Sequence, residues 1–186
     1  MTTYISLLRG INVSGHRMIP MDALKNCYVS LGYSNPHHYI QSGNIVFCSS
    51  EKNTEKIAAN ISESISVNFG FDVPVIVKSY TEWKELIREN PFLKKKNKEE
   101  TFLHACLLTN APNSNAIELI RSGNYAADQF EVIGNTVYLF CPGGYGKTKL
   151  NNGFWENKLK TTATTRNWRT IRQLYNMAEE LTKIKP

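Results

Sequence analysis

FEVIGNTVYLF, residues 130–140, holds two runs rich in β-branched and aromatic residues with Gly134-Asn135 between them. Glycine and asparagine tolerate the positive φ that a tight turn between antiparallel strands demands, so the stretch predicts a β-hairpin. The chain carries the same device earlier. HYIQ and NIVFCS are joined through Ser42-Gly43-Asn44, and SGNIVF aligns with IGNTVYLF. Each hairpin follows a strand-like run and a helix-like run, which makes a weak internal repeat of a βαββ unit.

Working outward from the first hairpin, Thr3 to Arg9 reads as a strand. Pro20 then opens a helical run with apolar residues at 21, 24, 28 and 31 and a stop at Gly32. A second helix is expected from Asn53 to about Phe69, followed by the strand VPVIVKSY. The order βαββαβ fits a ferredoxin-like layer, an antiparallel sheet with two helices on one face. TEWKELIREN is a short helix that ends before Pro91, and KKKNKEE is a solvated charge run. The pattern then restarts with TFLHACLLT as strand and SNAIELIRSG as helix, ahead of the second hairpin. A short helix near 152–160 and a longer one from about Asn167 to Lys183 close the chain, with no final strand between them. The expected fold is therefore α+β, two tandem ferredoxin-like subdomains of which the second is incomplete. Residues 1–92 form the first with a connecting helix, 93–100 a charged linker, and 101–186 the second with basic C-terminal helices.

Charge is distributed unevenly. Residues 1–144 hold 13 Lys+Arg against 13 Asp+Glu, and residues 145–186 hold 9 against 3, so the whole formal excess of +6 lies in the last quarter. Such an excess points to an anionic partner. The four cysteines are far apart and form no C-x-x-C pair, and the four histidines have no metal-ligand spacing. They read as reduced core thiols and as surface or loop histidines, with no metal and no cofactor. No stretch reaches the ~18 apolar residues of a membrane span, and MTTYISLLRG lacks the features of a signal peptide, so the expected compartment is the cytoplasm.

CPGGYGKTKL, residues 141–150, comes within one residue of the phosphate-binding P-loop, with Cys141 at the first glycine position. A P-loop also needs a helix that starts at its Lys-Thr pair, and KLNNG is a poor first turn. The better reading is a flexible glycine loop that presents Lys147 and Lys149. In the last helix Trp168, Ile171, Leu174, Tyr175, Ala178 and Leu181 fall on one arc and read as core, with Arg166, Arg169 and Arg172 opposite. Thr164 or Thr165 can cap its start. Arg166 at a helix N-terminus is disfavoured by the dipole by about 0.3–1 kcal/mol, which a bound anion would offset. In LLRGIN, Arg9 and Asn12 flank a glycine turn, and in YIQSGN the polar Ser42 and Asn44 are residue types that orient ligands. Tyr4 and Phe47 sit where base-stacking aromatics would lie in an RNA-recognition module, yet GNIVFCS lacks its basic-glycine-aromatic pattern, so they read as core.

Taken in order, LLRGIN, YIQSGNIVF, GKTKL and TTATTRNWRTI resemble an uncharacterised, mainly bacterial family, domain-of-unknown-function family 1697. Ser14-Gly15 stands where the family pattern has a glycine pair, and Thr148 where it often has serine. The resemblance implies two tandem ferredoxin-like subdomains, the second incomplete, in a cytoplasmic protein. It implies no reaction. The residues point to binding of an anionic ligand, either nucleic acid or a phosphate-bearing small molecule, at Lys147, Lys149, Arg166 and Asn167, with Arg9, Asn12, Ser42 and Asn44 contributing from the first half. The alternatives are an enzyme acting on a phosphorylated or carboxylated metabolite and an interaction module with no ligand site. No Ser-His-Asp, Cys-His or paired-carboxylate set stands out for the enzyme.

Overall fold

The first strand, β1 (Thr2–Leu8), is buried along six of its seven residues and sits at the centre of a four-stranded antiparallel sheet. The computed structural model describes residues 1–95 and 98–184. After β1 come α1 (Met21–Ser30), β2 (Ser34–His38), β3 (Asn44–Ser49), α2 (Thr54–Phe69) and β4 (Val75–Ser79), with strand order β2-β3-β1-β4. The helices α1 and α2 place Leu24, Tyr28, Ile57, Ile61 and Ile65 against Tyr4, Leu8, Phe47, Val75 and Val77 in one core. The four-residue spacing of those isoleucines is what gives α2 a single apolar stripe. Asn53 caps α2 by accepting the Lys56 N–H at 3.0 Å, and Gly70 ends it in the left-handed conformation. Tyr4 and Phe47 are core residues, 2% and 0% exposed.

The chain then runs through α3 (Tyr80–Arg88) into β5 (Leu103–Leu108), α4 (Ser114–Arg121), β6 (Gln129–Ile133), β7 (Thr136–Phe140), α5 (Asn152–Leu159), β8 (Ala163–Asn167) and α6 (Trp168–Lys183). The second sheet has the order β6-β7-β5-β8 and is again antiparallel throughout. Its core joins Cys106, Leu108, Val137, Leu139, Ile117, Ile120 and Trp155. The molecule is thus mixed α+β, with two four-stranded antiparallel sheets and six helices among the described residues.

The repeat is visible at bond level. Leu8 and Arg9 donate their N–H groups to the carbonyls of Gly43 and Pro74 at 2.8 and 2.9 Å, and Leu108 and Thr109 donate theirs to Asn135 and Thr162 at 2.8 and 3.0 Å. Leu7 pairs with Asn44, and Leu107 pairs with Thr136. The two hairpins therefore superpose Gly43 on Asn135, one residue away from the glycine-on-glycine alignment of the sequence.

Two expectations are corrected. The second half is not short of a strand: Ala163–Asn167 pairs with β5 from Leu108 to His104. Its threonines were read as helix caps, but a β-branched run beside a free sheet edge is better satisfied as strand. The first arm of the first hairpin is Ser34–His38, not residues 38–41, because Ile40 turns at φ +51°. Pro36 is accommodated because β2 is an edge strand. The chain divides into a unit of Met1–Glu85 with Gln173–Pro186 and a unit of Leu86–Arg172. The boundaries of these units fall inside α3 and α6. Residues 96 and 97 of the expected 93–100 linker lie outside the described residues, and its Lys98 sits 3.7 Å above the Phe140 ring. Among the described residues no helix is long and apolar enough to cross a membrane.

Candidate functional site

The stretch 141–150 leaves β7 and returns to α5. Cys141 is buried and donates its N–H to the Phe102 carbonyl at 2.9 Å. Gly144 has φ +90°, and Tyr145–Lys147 forms one 3-10 turn. Thr148 then points inward, donating its hydroxyl to Asp128 Oδ2 at 2.5 Å while its Oγ1 accepts the Leu150 N–H at 3.0 Å. Leu150 is buried, and its carbonyl accepts the Trp155 Nε1–H at 3.0 Å. Inward Thr148 and Leu150 leave Lys147 and Lys149 exposed. With Asn124, Tyr125, Ala126 and Asp128 these lysines line a concavity of about 330 Å³. The expected flexible loop is instead tied down at Thr148 and Leu150. Thr148 itself is extended and α5 begins only at Asn152, so no helix dipole converges on the lysine as it would in a P-loop.

Asp128 brings a carboxylate to this concavity, and the buried titratable groups of the neighbouring stretch are held neutral. Burial pushes the Cys141 thiol up to about 11, and the charge of Asp128 adds to the effect. His104 is 8% exposed and stacks on Tyr145 with ring centroids 4.8 Å apart. Burial lowers its pKa, against the opposing hydrogen bond to the Phe102 carbonyl. Burial also raises the Tyr145 hydroxyl to about 12. Thr148 is buried and committed to Asp128 and Cys141 is held as a thiol, so what the concavity presents is two cations beside one carboxylate.

The structure splits the pair Arg166 and Asn167. Both belong to β8, where successive side chains face opposite sides of the sheet. Arg166 Nη1 donates to Thr164 Oγ1 at 2.9 Å and to the Thr165 carbonyl at 3.0 Å. Asn167 shares the other face with Thr165, whose hydroxyl donates to Asn152 Oδ1 of α5 at 2.7 Å. Asn167 pairs in register with His104 and so lies on the side of Tyr145. Its Oδ1 accepts the Thr170 N–H at 2.8 Å, which makes it the cap of α6 in place of Thr164 or Thr165. Arg172 pairs with Glu100.

Arg9, Asn12, Ser42 and Asn44 fall in the other unit. Asn12, at φ +53°, donates its amide to the carbonyls of Ile19 and Gln41 at 3.1 and 2.9 Å and accepts the Ile19 N–H at 2.7 Å. Asn44 is fully buried and donates to the Tyr39 carbonyl at 3.1 Å and to Ser42 Oγ at 2.8 Å. Asn12 thereby clasps the β1–α1 loop to the turn before β3, and Asn44 braces that turn from within. Residues 124–128 carried no signal in the sequence: Asp128 becomes a neighbour of Lys147 only through the fold.

Residues 1–138 match the family described as "Protein of unknown function (DUF1697)". The chain belongs to that family. Among solved structures it is similar to a conserved bacterial protein from Streptococcus pneumoniae, with a TM-score of 0.71 and 20% identity over 95% of this chain and 98% of that one. That likeness speaks for the fold alone. A search of curated proteins returns no match.

Proposed function

We propose that each unit is a ferredoxin-like layer and that the second binds a small phosphate-bearing molecule through Lys147 and Lys149. The carrying observation is that two exposed lysines line one concavity from a backbone pinned between them by buried Thr148 and Leu150. A pinned backbone loses little further freedom on binding, and lysines give charge-assisted hydrogen bonds to phosphate oxygens. Asp128 offsets one positive charge, which suits one or two phosphoryl groups better than a long polyanion. Asn124 and Tyr125 supply neutral polar surface in the same concavity. All four cysteines are free thiols, which supports placing the protein in the cytoplasm.

The test is calorimetric titration of the whole chain at low salt with pyrophosphate, a nucleotide and a sugar phosphate, beside a short oligonucleotide. The expected result is saturable binding of a small phosphate that drops about tenfold, or ~1.4 kcal/mol, for each of Lys147→Ala and Lys149→Ala. Unchanged affinity in the double variant would overturn the reading. Tighter binding of the oligonucleotide, with a steep salt dependence, would transfer the site to nucleic acid.

A further inference from the structure

We infer that the first unit carries a separate binding site for an uncharged small molecule. A cavity of about 600 Å³ opens beside β1, β2 and β3, between the start of α3 and the last turns of α6. Its volume is in the range of sites that enclose small organic ligands. It lies wholly among residues of the first unit, and the Lys147 concavity lies wholly in the second.

The lining decides the chemistry. Thr3, Cys48 and Thr182 form a neutral polar group: Thr182 Oγ1 lies 2.9 Å from Thr3 Oγ1, which lies 3.7 Å from Cys48 Sγ. Leu181 adds an apolar wall, and Ser34 and Thr81 stand at the rim. Tyr80 also lines the cavity, but its hydroxyl is engaged by Tyr175 at 3.2 Å and Glu179 at 3.4 Å, and Glu179 is paired with Lys183 at 3.0 Å. Glu179 is thus held by Lys183 and the two tyrosines, and Glu180 lines a different hollow with His37 and His38. Among the described residues no charged side chain lines the cavity, and the α-amino group of the exposed Met1 is the one charge at its mouth. An ionised group carried past the mouth would lose its water among Thr3, Cys48, Leu181 and Thr182 without meeting a counter-charge there. A neutral molecule with an apolar body and one hydroxyl or carbonyl loses little and can hydrogen-bond to the Thr3–Thr182 pair. The mouth carries two exposed apolar side chains, Met1 and Ile184, 78% and 70% exposed. Methionine adapts readily to ligands of differing outline.

The protein carries its own reporter. Cys48 is half-buried, whereas Cys27, Cys106 and Cys141 are buried, so an uncharged thiol reagent such as dithiodipyridine reads Cys48 first. Naphthol should slow that labelling several-fold in a saturable way, and naphthoate, with the same rings and a carboxylate, should leave it almost unchanged. Ser34→Trp at the rim should abolish the protection with the circular dichroism spectrum intact, while Lys147→Ala/Lys149→Ala should retain it. No protection by naphthol, or equal protection by both compounds, would overturn the inference without need of any variant. Full protection surviving in a folded Ser34→Trp would overturn the placement. Loss of phosphate binding in the double lysine variant bears on the other site alone.

Discussion

The connection from the third strand to the second helix of the sheet runs over residues 50–53 in the first unit and 141–151 in the second. Both end in an asparagine cap: Asn53 accepts the Lys56 N–H, and Asn151 accepts the Phe154 N–H at 3.0 Å. In the first unit the short connection, Ser50 to Asn53, holds one glutamate and one lysine. Glu51 accepts the N–H groups of Lys52 and Asn53, and its pairing with Lys56 lowers its pKa to about 2. In the second unit the longer connection folds back on Asp128 and turns two lysines outward. Two units with the same strand order have thus put a helix-start clamp and a candidate anion site at the same place. Topology fixes where a connection emerges, and its length and side chains decide what it can bind.

The largest effect is expected where the two hairpins differ. A Cβ on Gly43 would lie 2.6 Å from Leu8 Cβ, whereas one on Gly134 meets nothing within 4 Å, although both glycines have positive φ. Gly43→Ala should lose about 3 kcal/mol, from left-handed strain plus overpacking. Gly134→Ala should lose about 1–2 kcal/mol, from strain alone. Urea unfolding of both variants separates the two; equal losses would show that the close approach at Gly43 relaxes at no cost. Next in size, Thr148→Val breaks the anchor of the basic connection and strands a carboxylate contact, for an expected loss of about 1.5–3 kcal/mol. A loss near zero in the same assay would mean that the connection is held by Leu150 and not by Asp128.

Smaller effects follow at the caps. Asn53→Ala and Asn151→Ala should each cost about 1 kcal/mol. A markedly smaller loss at Asn151 would show that α5 is held by Trp155 more than by its cap. The pH dependence divides the units last. His104 is depressed below 6.5, so the unfolded chain takes up a proton first and stability falls as pH drops below about 6.5 toward the folded value. Glu51 is also depressed, so its contribution is present above 4.5 and is lost as pH falls toward about 2. Acid destabilisation should therefore begin in the second unit. Thermal melting of His104→Phe between pH 7 and 5 should show a flatter profile than the parent, and an unchanged slope would remove His104 from the account.

Local patterns were enough for most elements. The isoleucine spacing of α2, the arc Trp168, Ile171, Leu174, Tyr175, Ala178 and Leu181 of α6, and the Gly134-Asn135 turn are signals carried within a few residues, and the structure buries or bends them as expected except at Tyr175, which is half-buried. The failures were nonlocal. ATTRN has no alternation to mark it as a strand, since its pairing depends on the free edge of β5. LLRGIN and YIQSGN looked like ligand-facing polar clusters because hydrogen bonds from Asn12 to residues 19 and 41, and from Asn44 to residues 39 and 42, leave no trace in sequence spacing. Asp128 was invisible for the same reason.

By itself the sequence determined the α+β class, the repeated βαββ unit, the core faces of the long helices and the concentration of positive charge after residue 144. Those depend on side-chain periodicity, turn chemistry and charge, which are properties of short segments. Only the tertiary structure decided that the second sheet has its fourth strand, that Arg166 and Asn167 face opposite ways, and that Lys147 and Lys149 stand over residues 124–128. Each of those turns on which distant backbone edge or side chain satisfies a polar group, and that choice is made by the packed sheet rather than by the segment.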